Sequence, residues 1–184
     1  IKQEGAGADD PVQYELVTDA TTLADGDEIV FMASKEVEVD GEKQTIYYAA
    51  GNPYKSSGNT YLVVVEVSAP ADNTITLTTE KVDIFTVEVS DDVFKFKSAE
   101  KGAYLGFKGK DNNITYDNDS NVEWSVTIED GAATIQLNGQ EEAYVEIKTN
   151  SYLMDAFGLT PSTISSTRQR ALRPRLCLLS TPIW

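Results

Sequence analysis

The chain has 184 residues, with 15 Lys and Arg against 30 Asp and Glu, a formal net charge of −15 and a pI near 4.3. A field of that sign repels phosphate backbones and anionic lipid, so nucleic-acid and membrane-surface partners are not expected. The absence of histidine and the single cysteine, Cys177, exclude Ser-His-Asp and Cys-His catalysis, histidine-containing zinc sites and an internal disulfide. No apolar run reaches the roughly 18–20 residues of a membrane helix.

Residues 1–13 mix Gly, Ala and Asp without period and read as a loose leader. An opening Ile1 in place of Met fits a trimmed export signal and a cloning boundary equally well. Short alternating runs rich in Val, Ile, Thr, Tyr and Phe follow, cut by Gly, Asn and Asp turns. The runs fall at 29–32, 45–48, 61–67, 74–79, 84–89, 93–96, 104–107, 114–116, 122–128, 134–137, 144–147 and 152–154. Alternation is clearest in the stretch from Val122 to Ile128. There Val122, Trp124, Val126 and Ile128 share one face, and Glu123, Ser125 and Thr127 the other. About twelve strands with tight turns predict an all-β domain over residues 14–157, a closed barrel or a sandwich.

A spacing favours the barrel. Ala103-Tyr-Leu-Gly-Phe107 recurs forty residues later as Ala143-Tyr-Val-Glu-Ile147. Trp124 matches Phe85, 39 residues earlier, and Phe94-Lys-Phe96 resembles Ile135-Gln-Leu137. The segment 45–48 would be a first copy of the Tyr104 strand, lengthened by an inserted hairpin within 54–72. Three four-strand units of about 40 residues are the pattern of a β-trefoil, in which each unit buries its apolar face against the other two. A β-sandwich is the alternative.

The remaining residues, 158–184, differ sharply. All four arginines (Arg168, Arg170, Arg173, Arg175) and Cys177 lie there, while every acidic residue lies at or before Asp155. Eleven lysines against thirty acids give residues 1–155 a net charge of −19, and residues 156–184 carry +4. The segment reads either as a basic tail that neutralises the body, or as sequence foreign to the ancestral domain from about residue 157. The fourth strand of the third unit is expected near residue 164, where no alternating run stands. Leu176-Cys-Leu-Leu179 is the candidate to close the fold instead; without it an exposed edge would remain.

The stretch from Tyr14 to Phe31, Tyr-Glu-Leu-Val-Thr-Asp-Ala-Thr-Thr-Leu-Ala-Asp-Gly-Asp-Glu-Ile-Val-Phe, resembles the opening of a domain of uncertain function in exported and surface proteins of gut Bacteroidetes. Asp83-Ile-Phe-Thr-Val87, Tyr104-Leu105 and Glu123-Trp-Ser-Val-Thr-Ile128 are similar to that family's later segments. The match spans about residues 14–157; the family normally adds one last apolar strand, and this chain departs from it after Phe157. The resemblance implies an exported, non-catalytic surface or accessory domain and carries no catalytic residues with it. Independently of any family, Ala24-Asp-Gly-Asp27 is a tight turn feeding a buried strand, with Leu23 as an apolar anchor before it.

Candidate chemistry is sparse. Asp117, Asp119, Asn121 and Glu123 alternate as oxygen ligands of a Ca²⁺ loop would, although the Gly of an EF-hand is replaced by Val122 and an ordinary Asx-rich turn explains them too. Acidic pairs such as Glu36 and Glu38 are read as solvated strand faces, and nothing converges on a nucleophile, base or cofactor, so no enzyme is expected. Tyr104, Tyr144 and Trp124 are expected in the core. Tyr54, in the turn-forming stretch Gly51-Asn-Pro-Tyr-Lys-Ser-Ser-Gly58, should be exposed, and Tyr47 and Tyr48 must point to opposite faces. Tyr47, Asn52, Tyr54 and Lys55 are therefore the candidate glycan site, since a pyranose offers an apolar face and hydroxyls together. The expectation is a monomeric, exported module that binds a glycan or other surface polymer. The alternative is a structural or assembly domain of the cell envelope without a small ligand.

Overall fold

The structure is a computed structural model that describes residues 11–56, 58–78, 82–108, 114–117, 120–140, 143–148, 156–160 and 175–180. Its described elements are strands and one short 3-10 turn at Ala20–Thr22. In chain order the strands are β1 (Pro11–Leu16), β2 (Glu28–Val39), β3 (Glu42–Ser56), β4 (Asn59–Val67), β5 (Thr74–Thr78), β6 (Phe85–Ser90) and β7 (Val93–Ser98). They continue as β8 (Tyr104–Phe107), β9 (Ile114–Asp117), β10 (Trp124–Glu129), β11 (Ala132–Leu137), β12 (Tyr144–Lys148), β13 (Ala156–Thr160) and β14 (Arg175–Ser180). All pairings are antiparallel and follow the path β5-β1-β14-β2-β3-β4-β13-β12-β11-β10-β7-β8-β9, with β6 joining β2 to β7.

The centre of the molecule is β2. Ile29, Val30, Phe31, Met32 and Ala33 are five successive buried residues. Because side chains alternate, such a run has an apolar layer on both faces. Ile29, Phe31 and Ala33 join the larger core with Phe85, Phe96 and Trp124. The Phe31 ring lies 4.8 Å from Phe85 and 5.3 Å, edge on, from Phe96. Trp124, fully buried, donates its indole N–H to the Leu105 carbonyl at 2.9 Å, which satisfies its one polar atom. Val30 and Met32 face a second cluster, covered by Tyr14, Ile75 and Leu77 from the β1–β5 ladder. The turn before β2 forms as expected: Gly26 has φ +91°, Leu23 is buried, and Gly26 and Val87 anchor the turn to β6 through two 2.8 Å backbone hydrogen bonds with Val87 and Asp27.

Three hairpins share one turn chemistry. β2/β3, β6/β7 and β10/β11 close through the two-residue loops Asp40-Gly41, Asp91-Asp92 and Asp130-Gly131. All six loop residues have positive φ: 54° and 82°, 50° and 63°, 50° and 72°. Two left-handed residues in a row are the turn whose twist matches that of antiparallel strands. The 39-residue offset holds as well. Phe85 opens β6 and Trp124 opens β10, both fully buried, and Ser98 N–H to Ala103 O (3.0 Å) has its counterpart in Leu137 N–H to Ala143 O (2.7 Å). One alignment needs correction. Val87 faces Phe96 and Val126 faces Ile135, so Phe96, not Phe94, corresponds to Ile135. A slip of two residues keeps every side chain on its face, so the pattern alone could not detect it.

The all-β class is thus as the sequence predicts, and a sandwich-like description fits. The expected trefoil barrel is not established: β7 meets β10 only at Phe94↔Trp124, and β11 meets β12 only at Gln136↔Tyr144, contacts too slight to close the strands into a barrel. The extra length of the first unit lies in long strands, 15 residues in β3 and 9 in β4, rather than in an inserted hairpin. Beyond the acidic body, β13 pairs with β12 and with β4, and β14 lies between β2 and β1. The run 176–179 therefore forms a strand, as anticipated, and a described strand follows β12 at Ala156–Thr160, while the expected strand near 164 lies outside the described residues. The expected strand at 152–154 lies outside the described residues.

The turn chemistry generates a paired prediction. Asp92 holds a left-handed conformation where the other two turns place Gly. Asp92→Gly should stabilise the chain by about 0.5–1 kcal/mol, while Gly41→Ala should destabilise it by about 1 kcal/mol. Urea midpoints moving in opposite directions would bear this out; two shifts of the same sign would not.

Candidate functional site

Beyond Ala50 the ladder between β3 and β4 is irregular, resuming at Pro53↔Leu62. Pro53 has no N–H to donate, and a bulge is where a sheet tolerates such a residue. The segment 51–56 is consequently a strand, not the expected turn, and Tyr54 is half-buried rather than open to solvent. Its ring lies 5.8 Å from that of Tyr61, its cross-strand partner. Burial, and Tyr61 after it, raise the Tyr54 hydroxyl above the ordinary tyrosine value.

Where the β3/β4 hairpin meets β8, β9 and the turn after β7, a cleft of about 400 Å³ opens. The hairpin contributes Tyr54, Lys55 and Thr60, the turn contributes Lys101, and the β8–β9 side contributes Lys108 and Tyr116. Three of the seven lysines whose side chains are described line this cleft, and no described carboxylate does. In a chain with 30 acids that local reversal of sign is the site's defining property.

One buried carboxylate ties the cleft walls together. Asp83 is 1 % exposed. Ser98 Oγ lies 2.8 Å from both of its oxygens, and the Tyr116 hydroxyl donates to Oδ2 at 3.4 Å. The Glu100 N–H donates to Oδ1 at 3.5 Å, and the Lys101 N–H donates to Ser98 Oγ at 3.1 Å. The backbone N–H of Asp83 donates to the Ala50 carbonyl at 3.0 Å. β3, the Lys101 turn and β9 therefore share one anchor. Burial raises the Asp83 carboxyl above its ordinary value, against the opposing hydrogen bonds of Ser98, Glu100 and Tyr116. The Tyr116 hydroxyl is also pushed up, first by burial and then by the Asp83 charge.

The sequence-expected residues divide. Tyr54 and Lys55 come together in the cleft. Asn52 is exposed in the irregular stretch of β3 and does not line the cleft. Tyr47 packs against the second apolar cluster while Tyr48 packs against the first, so the two do point to opposite faces, both half-buried. Of the Ca²⁺ candidates, Asp117 ends β9 opposite Tyr104, exposed Asn121 accepts the Phe107 N–H on its carbonyl at 3.0 Å, and Glu123 sits 3.4 Å from Lys95. Asp119 lies outside the described residues. Among the described residues no three His, Cys, Asp or Glu side chains form a metal-holding group.

Tyr104 is a correction. It donates to Glu88 at 2.7 Å beneath the ammonium groups of Lys95 and Lys97, 6.0 and 5.8 Å from its ring, and Leu105 takes the core position. Sequence reasoning also missed Asp83, Lys101, Lys108 and Tyr116 as site residues. The one available signal was an acid set between Val82 and Ile84 at the head of an apolar strand.

No protein-family model matches the chain, and no curated protein matches it.

The Asp83 environment carries a pH signature. Above the ordinary aspartate value of 3.8, the unfolded chain gives up a proton that the folded chain still holds, so this residue's contribution to stability falls as pH rises through its elevated native value. Asp83→Asn removes that titration and keeps an acceptor for Ser98. Unfolding free energies at pH 4 and pH 7 should show the wild type losing ground to the variant at the higher pH. A difference independent of pH would contradict the assignment.

Proposed function

We propose that this chain is a non-catalytic binding module that recognises a glycan or other surface polymer through the cleft beside Tyr54. The observation that carries the reading is the composition of that cleft: an aromatic ring, the hydroxyls of Thr60 and Thr115, and ammonium groups line one open concavity. A sugar ring fits such a wall because its apolar face covers an aromatic ring while its hydroxyls reach polar side chains. The non-catalytic part rests on the lack of histidine in the chain and on the lack of a carboxylate among the described residues that line the cleft.

Export to the cell surface is part of the same proposal and rests on the resemblance at residues 14–31. The three-unit, trefoil-like reading also belongs here, supported by the 39-residue offset and by the like turns that close β2/β3, β6/β7 and β10/β11. An envelope assembly role is the second reading, favoured by β5 and β9, which end the strand path among the described residues, where another strand could extend the sheet.

Thermal-shift measurements against a panel of plant, microbial and mucin glycans test the first reading. A one-site ligand at a hundred times its dissociation constant adds about 2.7 kcal/mol, or roughly 5–10 °C for a domain of this size. Tyr54→Ala should weaken the responding glycan about tenfold, and no sugar should be released on prolonged incubation. A panel without any shift would favour the assembly role.

A further inference from the structure

We infer that the ligand of this cleft is an acidic glycan, a polysaccharide bearing carboxylate or sulfate groups, held by Lys55, Lys101 and Lys108. The inference rests on the binding-module reading and specifies its ligand class. The three lysines come from three separate segments: the end of β3, the turn after β7 and the residue after β8. Chain proximity therefore does not explain their meeting, and the fold assembles them.

Their surroundings leave the charges available. Lys55 and Lys108 are exposed and have no ion pair among the described residues. Lys101 lies 3.4 Å from Glu100, its sequence neighbour, with both side chains some two-fifths to a half exposed. A pair so solvated is weak and can be exchanged for a ligand anion. Elsewhere Lys43 pairs with Glu36 and Lys95 with Glu123, and Lys95 and Lys97 lie over the Tyr104 ring, all outside this site. A neutral sugar would have to displace water from three strongly hydrated ammonium groups and give them nothing charged in return.

The overall charge selects among anions. A duplex nucleic acid carries a phosphate about every 3.4 Å of helix axis on each strand, so the segments leaving the cleft would run against a chain of net charge −15. An acidic glycan in which neutral sugars separate the charged ones can place its anions in the cleft while its uncharged rings meet Tyr54. Ser98, through its bonds to Asp83 and to the Lys101 N–H, positions the turn that brings Lys101 to the site.

Titration calorimetry on the full chain tests this with matched polymers. Polygalacturonate is compared with its methyl ester, dextran sulfate with dextran, and a single-stranded oligodeoxynucleotide serves as the polyphosphate, all at 50 and 300 mM NaCl. The expected result is binding to at least one acidic polymer, at least tenfold tighter than to its neutral counterpart and at least fivefold weaker at the higher salt. The carboxylate and sulfate arms then identify which group is recognised. Combined Lys55→Gln, Lys101→Gln and Lys108→Gln substitutions should weaken it at least tenfold with an unchanged melting temperature, while Lys43→Gln should change it less than twofold. Equal binding of charged and neutral counterparts, unaffected by the triple substitution, overturns the ligand class and leaves the binding-module reading standing. Tighter binding of the oligonucleotide than of either acidic glycan overturns the ligand class in favour of a polyphosphate. Binding to no glycan in this set or in the wider panel overturns both.

Discussion

The two-sided burial of β2 is the constraint on which the rest of this structure depends. Ile29, Phe31 and Ala33 complete one apolar layer, and Val30 and Met32 complete the other. Fully burying a side chain of this kind is worth about 1.5–3 kcal/mol. Five in sequence concentrate a large share of the driving force in one strand. That strand also carries the most connections: β14 pairs along one of its edges, and β3 and β6 along successive stretches of the other. The remaining elements can be understood as what covers its two faces. The β1–β5 ladder lies over one, and the aromatic cluster of β6, β7 and β10 lies over the other.

The site follows from that frame at one remove. β3 is held against β2 up to Ala49, so its continuation past the bulge and the β4 return project from an ordered base. Asp83 sits next to buried Val82, accepts from Ser98, Glu100 and Tyr116, and reaches Ala50 through its own N–H. A carboxylate so placed costs free energy when charged, which its hydrogen bonds offset. In exchange, three segments distant in sequence are fixed relative to one another. The acidic body and the cationic cleft then have distinct roles. The body's field opposes dense polyanions, while the cleft, on the reading we propose, offers a local exception that a polymer with fewer charges can use.

Much of the fold was legible because strand patterning is local. The turn at Gly26 announced a buried strand over 29–32, though not its burial on both faces, and the alternation around Trp124 gave its buried and solvent faces correctly. The offset between Phe85 and Trp124 survived as well, because each begins a hairpin with the same turn geometry. What failed was whatever depended on register or on distant neighbours. Gly51-Asn-Pro punctuates a turn in most contexts, but here the pairing with β4 carries the strand through a bulge. Tyr104 and Leu105 are adjacent, so a shift of one residue decided which of them entered the core. Half of the cleft was visible in Tyr54 and Lys55. Lys101, Lys108 and Tyr116 were not, since only the tertiary pairing of β8 with β9 and the bonds to Asp83 bring them there.

Native-state hydrogen exchange, followed amide by amide, tests the central role of β2 most directly. A strand sealed on both faces and paired on both edges can open only when the whole fold opens. The amides of Ile29 to Ala33 should therefore be the slowest in the chain, with an opening free energy equal to that of global unfolding from urea titration. Amides of β5 and β9, at the ends of the strand path, should exchange well before them. Exchange of the β2 amides at the rate of those end strands would contradict the account.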